Sequence, residues 1–223
     1  MILKFLVLIV VIGLAGCQIA ASPPSAVNTQ TPDFPPTPTD GWAVHEGTGI
    51  SLKIKIPYGW ETYNTESGIV LTEHMGKPET GGVLEGILIY VFIPRMDGFH
   101  VNDSGDANIA WQMLKQVISK PDYVGNALVS EPIAFDWDHH DAAYYLLNNR
   151  DGTVTLLLAM GLADGQHLVV SHISIPENQA QRLRPLLPHL LDSLTIDNVP
   201  VDVMALNHLP DPLVFPAYAV PTP

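Results

Sequence analysis

Ile50-Ser51-Leu52-Lys53-Ile54-Lys55-Ile56-Pro57-Tyr58-Gly59-Trp60 is the stretch that decides the fold. Its four isoleucine and leucine positions alternate with Ser51, Lys53 and Lys55 without an error, the period of a β-strand with one buried and one solvated face. Pro57 has no N–H to give to a ladder and ends the strand. Gly59 permits a tight turn, and Trp60 brings a large ring back onto the sheet.

Outward toward the C-terminus, the alternation continues in short pieces. Ile69-Val70-Leu71-Thr72 forms a second strand after a turn at Ser67-Gly68. A polar, Gly-containing loop over 76–82 leads into the segment 84–95. There Ile87-Leu88-Ile89-Tyr90-Val91-Phe92-Ile93 is apolar on both faces, the pattern of a central strand. Ile109, Met113, Leu114, Val117 and Ile118 recur at helical spacing. Asp103, Ser104 or Asp106 is placed to cap that helix, and Pro121 lies just past its end. Three more strands are expected over 128–137, 142–149 and 153–162, the last two joined by a hairpin at Asn149-Arg150-Asp151-Gly152. A turn at Ala163-Asp164-Gly165 precedes a closing strand over 167–175. Ser174 and Glu177 have the spacing of a capping box, and Leu183, Leu186, Leu187, Leu190, Leu191 and Leu194 mark a buried helical stripe. Pro185 and Pro188 predict a break or kink in that helix between Arg184 and His189.

Toward the N-terminus the composition changes twice. Residues 18–40 hold Pro23, Pro24, Pro32, Pro35, Pro36 and Pro38 among Ser, Thr and Ala, with no Lys or Arg. Such a segment buries nothing and reads as an extended tether of about 3.1 Å per residue. Before it, Lys4 precedes an unbroken apolar run over 5–12, the n- and h-regions of a secretory signal peptide. The run is shorter than the roughly 20 residues that a membrane span requires. Leu14-Ala15-Gly16-Cys17 resembles the lipobox of bacterial lipoproteins, in which the cysteine thiol is diacylglycerated and becomes the new N-terminus. The resemblance implies lipidation at Cys17, the only cysteine in the chain and so without an internal disulfide partner. Two acyl chains, each contributing roughly 0.8 kcal/mol per buried CH₂, hold a protein stably on a bilayer where one does not. The expected organisation is a signal peptide over 1–16, lipidated Cys17 and linker over 17–40, a folded domain over 41–197, and a Pro-rich tail over 198–223 that either drapes over the body in extended form or is partly ordered to disordered.

Strand, middle helix, hairpin-linked strands and a closing helix ending Asp192-Ser193-Leu194-Thr195-Ile196, together with Ile56-Pro57-Tyr58-Gly59-Trp60, resemble the PsbP-like domains. These are α+β proteins in which an antiparallel β-sheet is flanked by helices as an α/β/α sandwich. The resemblance covers about 41–197 and implies a non-enzymatic binding or assembly role. It carries over no functional residue and implies no cofactor.

The net charge of −13 over 223 residues repels nucleic acid and anionic headgroups alike. That leaves the membrane, reached through the lipid anchor, and an unknown protein or small molecule as partners. One cluster invites sharper chemistry: Asp136, Asp138, His139, His140 and Asp141 carry the oxygen and imidazole donors of a divalent-metal site. Along a strand their side chains alternate between faces, so they converge only around a turn. The same residues also suit a polar turn between two apolar strands. Ser171-His172-Ile173-Ser174 sets serine beside histidine, but neighbours in a strand point apart, and His172 reads as a surface or sheet-edge residue. His100 with Asp103 and Asp106 is a looser group. Tyr58, Trp60, Tyr63, Trp137, Tyr144 and Tyr145 are candidates for a binding surface, with Tyr144 and Tyr145 facing opposite ways. Three readings follow: a tethered non-catalytic binding domain, a metal-binding protein or metal-dependent enzyme, and a solute binder, which requires a deep pocket.

Overall fold

The computed structural model describes residues 38–47, 49–73, 84–100 and 108–218. The segment 1–16, Cys17, the linker residues 18–37, the loop over 76–82, and Asp103, Ser104 and Asp106 lie outside the described residues.

Among the described residues the chain is a mixed α+β protein built on antiparallel pairing. Strand β1 (Pro38–Gly47) pairs with β2 (Ile50–Pro57), and β2 carries the short β11 (Thr195–Ile196) and β12 (Val199–Pro200) in the order β1-β2-β11-β12. The larger sheet contains β3 (Glu61–Asn64), β4 (Gly68–Thr72), β5 (Leu88–Phe92), β6 (Leu128–Val129), β7 (Ile133–Trp137), β8 (His140–Asn148), β9 (Thr153–Gly161) and β10 (Leu168–Pro176). Its order is β3-β4-β5-β10-β9-β8-β6, with β7 also on β8. Helix α1 spans Ile109–Ser119, α2 Pro121–Val124 and α3 Leu183–Leu191.

The alternation in β2 is realised: Ile50, Leu52 and Ile54 are buried, while Ser51, Lys53 and Lys55 are not. These residues join Ile89, Val91, Leu156, Leu158, Ile173 and the leucines of α3 in one apolar cluster. The alternate residues of β8–β10, among them Tyr145, Leu157 and Val170, join Ala110, Met113 and Leu114 of α1 in a second. Tyr144 and Tyr145 accordingly fall into different clusters, as their adjacency in a strand predicts.

Several expectations are corrected. Strand β1 begins at Pro38, so the folded body starts inside the segment assigned to the linker. The expected strand over 128–137 is two strands, because Pro132 has no N–H for the ladder. Pro121 does lie just past the end of α1, and it also starts a short helix of its own, since the first helical position needs no donor. Helix α1 is capped by Asn108, whose Oδ1 accepts from Trp111 N at 2.8 Å. Ser174 is no cap but part of β10, which runs on to Pro176. Helix α3 is unbroken. Pro185 sits in its first turn, where donors have no helical acceptor, and Pro188 is carried by the burial of Leu183, Leu186, Leu187, Leu190 and Leu191.

The stretch after Asp197 is part of the body. Leu206, Leu209 and Leu213 are buried in the first cluster. Trp137 Nε1 donates to Asp202 O at 2.8 Å, and Tyr218 Oη donates to Asn126 O at 3.1 Å and Asn148 O at 3.0 Å. Leu206 is fully buried, so Leu206→Ala is expected to cost about 2–5 kcal/mol, read as a lowered denaturation midpoint. A change within a few tenths of a kcal/mol would mean that this stretch is not docked.

Candidate functional site

A helix is about 10 Å across and covers about two strands spaced 4.8 Å apart. Helix α1 packs over β7, β8 and β9. The same face of β5 and β10 is left beside it, and a cavity of about 500 Å³ opens there. This explains the burial of β5. Ile89 and Val91 are buried on one side, whereas Leu88, Tyr90 and Phe92 are only half-buried on the other.

The cavity floor is a row across four strands. Tyr90 pairs with His172, His172 with Leu157, and Leu157 with Tyr145. Phe92 stacks on Tyr90 with centroids 4.5 Å apart. Met113 and Val117 of α1 form one wall, and Phe99 and Tyr123 stand at another. Lys120 lies 4.9 Å from the Phe99 ring centroid and 5.5 Å from that of Tyr123. Arg95 and Glu66 also line the cavity. Apolar walls with a few polar groups are the usual make-up of a small-molecule site.

Two polar groups on the floor are held by hydroxyl groups. Tyr90 Oη bonds Ser67 Oγ at 2.6 Å and Thr65 Oγ1 at 3.1 Å. His172 Nε2 bonds Ser174 Oγ at 2.9 Å, and Ser174 Oγ bonds Thr155 Oγ1 at 2.7 Å. Burial lowers the His172 pKa to about 4, so the ring is neutral near pH 7. Burial also raises the Tyr145 hydroxyl above its ordinary range. His172 is therefore no edge residue, as its sequence context suggested. It lies on β10, between β5 and β9, and faces the cavity. Its serine partner is Ser174, two positions on and on the same face, rather than the adjacent Ser171.

The Asp136–Asp141 cluster forms the turn between β7 and β8. Trp137 pairs with His140, and Asp138 and His139 between them have φ of 50° and 66°, a two-residue hairpin loop with both central residues left-handed. The carboxylates serve the backbone: Asp136 Oδ1 accepts from His139 N at 3.0 Å, and Asp141 Oδ2 accepts from Ile109 N at 3.1 Å. Asp138 and His140 line a second, smaller cavity with Trp137 and Asp202. Among the described residues no group of three or more His, Cys, Asp or Glu is placed to hold a metal ion. His100 is tied through its backbone to Gln116, whose Oε1 accepts from His100 N at 2.9 Å. Tyr58 and Tyr63 are exposed, Trp60 is half-buried and Trp137 is buried.

Tyr90, Phe92, Phe99 and Tyr123 were not singled out in the sequence. Tyr90 and Phe92, two apart in an otherwise aliphatic strand, are the one local sign of them. A pH test follows from His172. With a folded pKa near 4 against 6.5 when unfolded, the unfolded chain binds the extra proton between those values. Stability is thus lost as pH falls from about 6.5 to 4, by an amount on the order of 3 kcal/mol, and levels off below. Subtracting the His172→Gln stability curve from that of the wild type is expected to isolate this slope. Parallel curves would place the ring in water.

No family model matches the chain, and no curated protein does. Among solved structures the chain is similar to cyanobacterial PsbP (CyanoP) from Synechocystis sp. PCC 6803, at 14% identity and a TM-score of 0.46 over 71% of this chain and 94% of that one. It is also similar to the Ran-binding protein Mog1p of Saccharomyces cerevisiae, at 13% identity and a TM-score of 0.44 over 73% of this chain and 97% of that one.

Proposed function

We propose that this chain is a lipid-tethered, non-catalytic binding protein on the extracytoplasmic face of a cell membrane, which holds a small, largely apolar molecule in the cavity beside α1. In this reading the body is a PsbP-like α/β/α sandwich, moored through Cys17 and the Pro-rich segment after it. The cavity carries the proposal: about 500 Å³ is enough for a ligand of modest size, and its walls are aromatic and aliphatic. Binding rather than turnover is supported by His172, a neutral ring engaged by a hydroxyl chain and not by a carboxylate.

Val117 is half-buried on the cavity wall, so a larger side chain there extends into the space. Native mass spectrometry of protein extracted gently from membranes is expected to find a bound small molecule in the wild type and none in Val117→Trp, with the two variants melting within a few degrees of each other. Retention of the same mass by Val117→Trp, or none in the wild type, would end the cavity reading. Independently, Cys17→Ser is expected to move the protein from the membrane fraction to the soluble one, and an unchanged distribution would end the tether.

A further inference from the structure

We infer that His172 presents a fixed Nδ1–H donor to the cavity, and that the occupant is therefore an uncharged, mostly apolar molecule bearing a carbonyl-type acceptor. The inference rests on the cavity being a ligand site and adds what that ligand must carry.

The direction of one hydrogen-bond chain supplies the argument. It starts at Asp151, in the turn between β8 and β9, whose ionised carboxylate only accepts. Thr153 Oγ1 lies 2.7 Å from Asp151 Oδ1 and donates its single hydrogen there. Thr153 Oγ1 must then accept from Asn149 Nδ2, 3.0 Å away, which fixes the orientation of that amide. The same Nδ2 donates to Thr155 Oγ1 at 3.3 Å. Thr155 passes its own hydrogen to Ser174 Oγ at 2.7 Å, and Ser174 donates to His172 Nε2 at 2.9 Å. Running the chain the other way would strand the hydroxyl hydrogen of Thr155, a residue 1% exposed, without an acceptor.

Nε2 is thus an acceptor, and the neutral ring carries its proton on Nδ1. Burial, which holds the pKa near 4, keeps the ring in this neutral form at physiological pH. Among the described residues nothing bonds Nδ1, and the ring lines the cavity. A ketone, ester or amide oxygen satisfies that donor. An ammonium group would set donor against donor. A carboxylate at this ring would leave water for a neutral partner, at a cost one hydrogen bond does not return, and the charged residues lining the cavity, Arg95 and Glu66, are of opposite sign.

Two probes of equal heavy-atom count separate the terms: 2-acetylnaphthalene, with a carbonyl, and 2-isopropylnaphthalene, without one. In titrations of the purified chain the ketone is expected to bind tighter, on the order of fivefold. His172→Phe is expected to erase that preference while still binding the hydrocarbon. In ¹⁵N spectra of the wild type, the His172 ring should carry hydrogen on Nδ1 and not on Nε2, and Ser174→Ala should mix the two tautomers. Equal binding of both probes to the wild type, a ketone preference that survives His172→Phe, or hydrogen on Nε2 would each overturn the inference and leave the cavity a hydrocarbon-binding site. Binding of neither probe would overturn both the inference and the cavity reading beneath it.

Discussion

One geometric constraint governs the molecule: a single helix is narrower than the sheet face it packs on. Where α1 sits therefore decides what stays open, and its position is fixed by several polar ties. Asn108 Nδ2 donates to Ala142 O at 2.9 Å while its Oδ1 caps the helix, and Asp141 accepts from the first helical N–H. Trp111 Nε1 donates to Pro132 O at 3.1 Å, and Lys115 pairs with Glu131. Each of these partners belongs to β7, β8 or the approach to β7. At Gly161 a Cβ would come within 2.8 Å of Ile109, so the bare backbone there lets the start of α1 settle onto β9. The hairpin residues first weighed as metal ligands are thus part of what anchors the helix over one half of the sheet. The cavity is the half that the described residues leave uncovered.

The two faces of the sheet differ in how completely they are closed. On the side of α3 the leucine stripe, Trp137 and the stretch containing Leu206, Leu209 and Leu213 share one cluster with the inward side of β2. That side is sealed by three different parts of the chain. Among the described residues the other side is closed by α1, α2 and the segment around Phe99, and these leave the cavity over β5 and β10. Burial of apolar area on the sealed face supplies the stability from which an open face can be maintained.

Much of the fold was legible in the sequence because the strands of the larger sheet obey a simple period. Strands β2, β4, β5, β9 and β10 and helix α1 lie close to where alternation and helical spacing put them. What escaped was decided by tertiary contact. Strand β1 opens with a proline and holds its place by pairing with β2, which no local pattern announces. Strand β3 is four exposed residues, kept by its ladder to β4. Pro188 was given more weight than the five buried leucines around it. The stretch beyond 197 looked like a tail because its prolines are visible in a sequence while the surface that receives Leu206 and Leu213 is not. The site was less legible still. Tyr90, His172, Leu157 and Tyr145 come from separate strands, and no spacing between them encodes the row they form.

The position of His172 is the hardest feature to account for by packing alone. It stands in a central strand among Val170, Leu157 and Tyr145, where an aliphatic residue would avoid the desolvation that drives its pKa down. Its Nε2 is engaged there by Ser174, and Ser174 by Thr155, two more polar groups that each need a partner of their own. A chain of polar residues that starts at Asp151 and ends at a cavity wall, instead of closing on itself inside the core, has its far end at the cavity. The strands bury other polar residues as well, Thr72, Asn148 and Ser171 among them, but His172, Ser174 and Thr155 are the group that leads to the wall of the cavity.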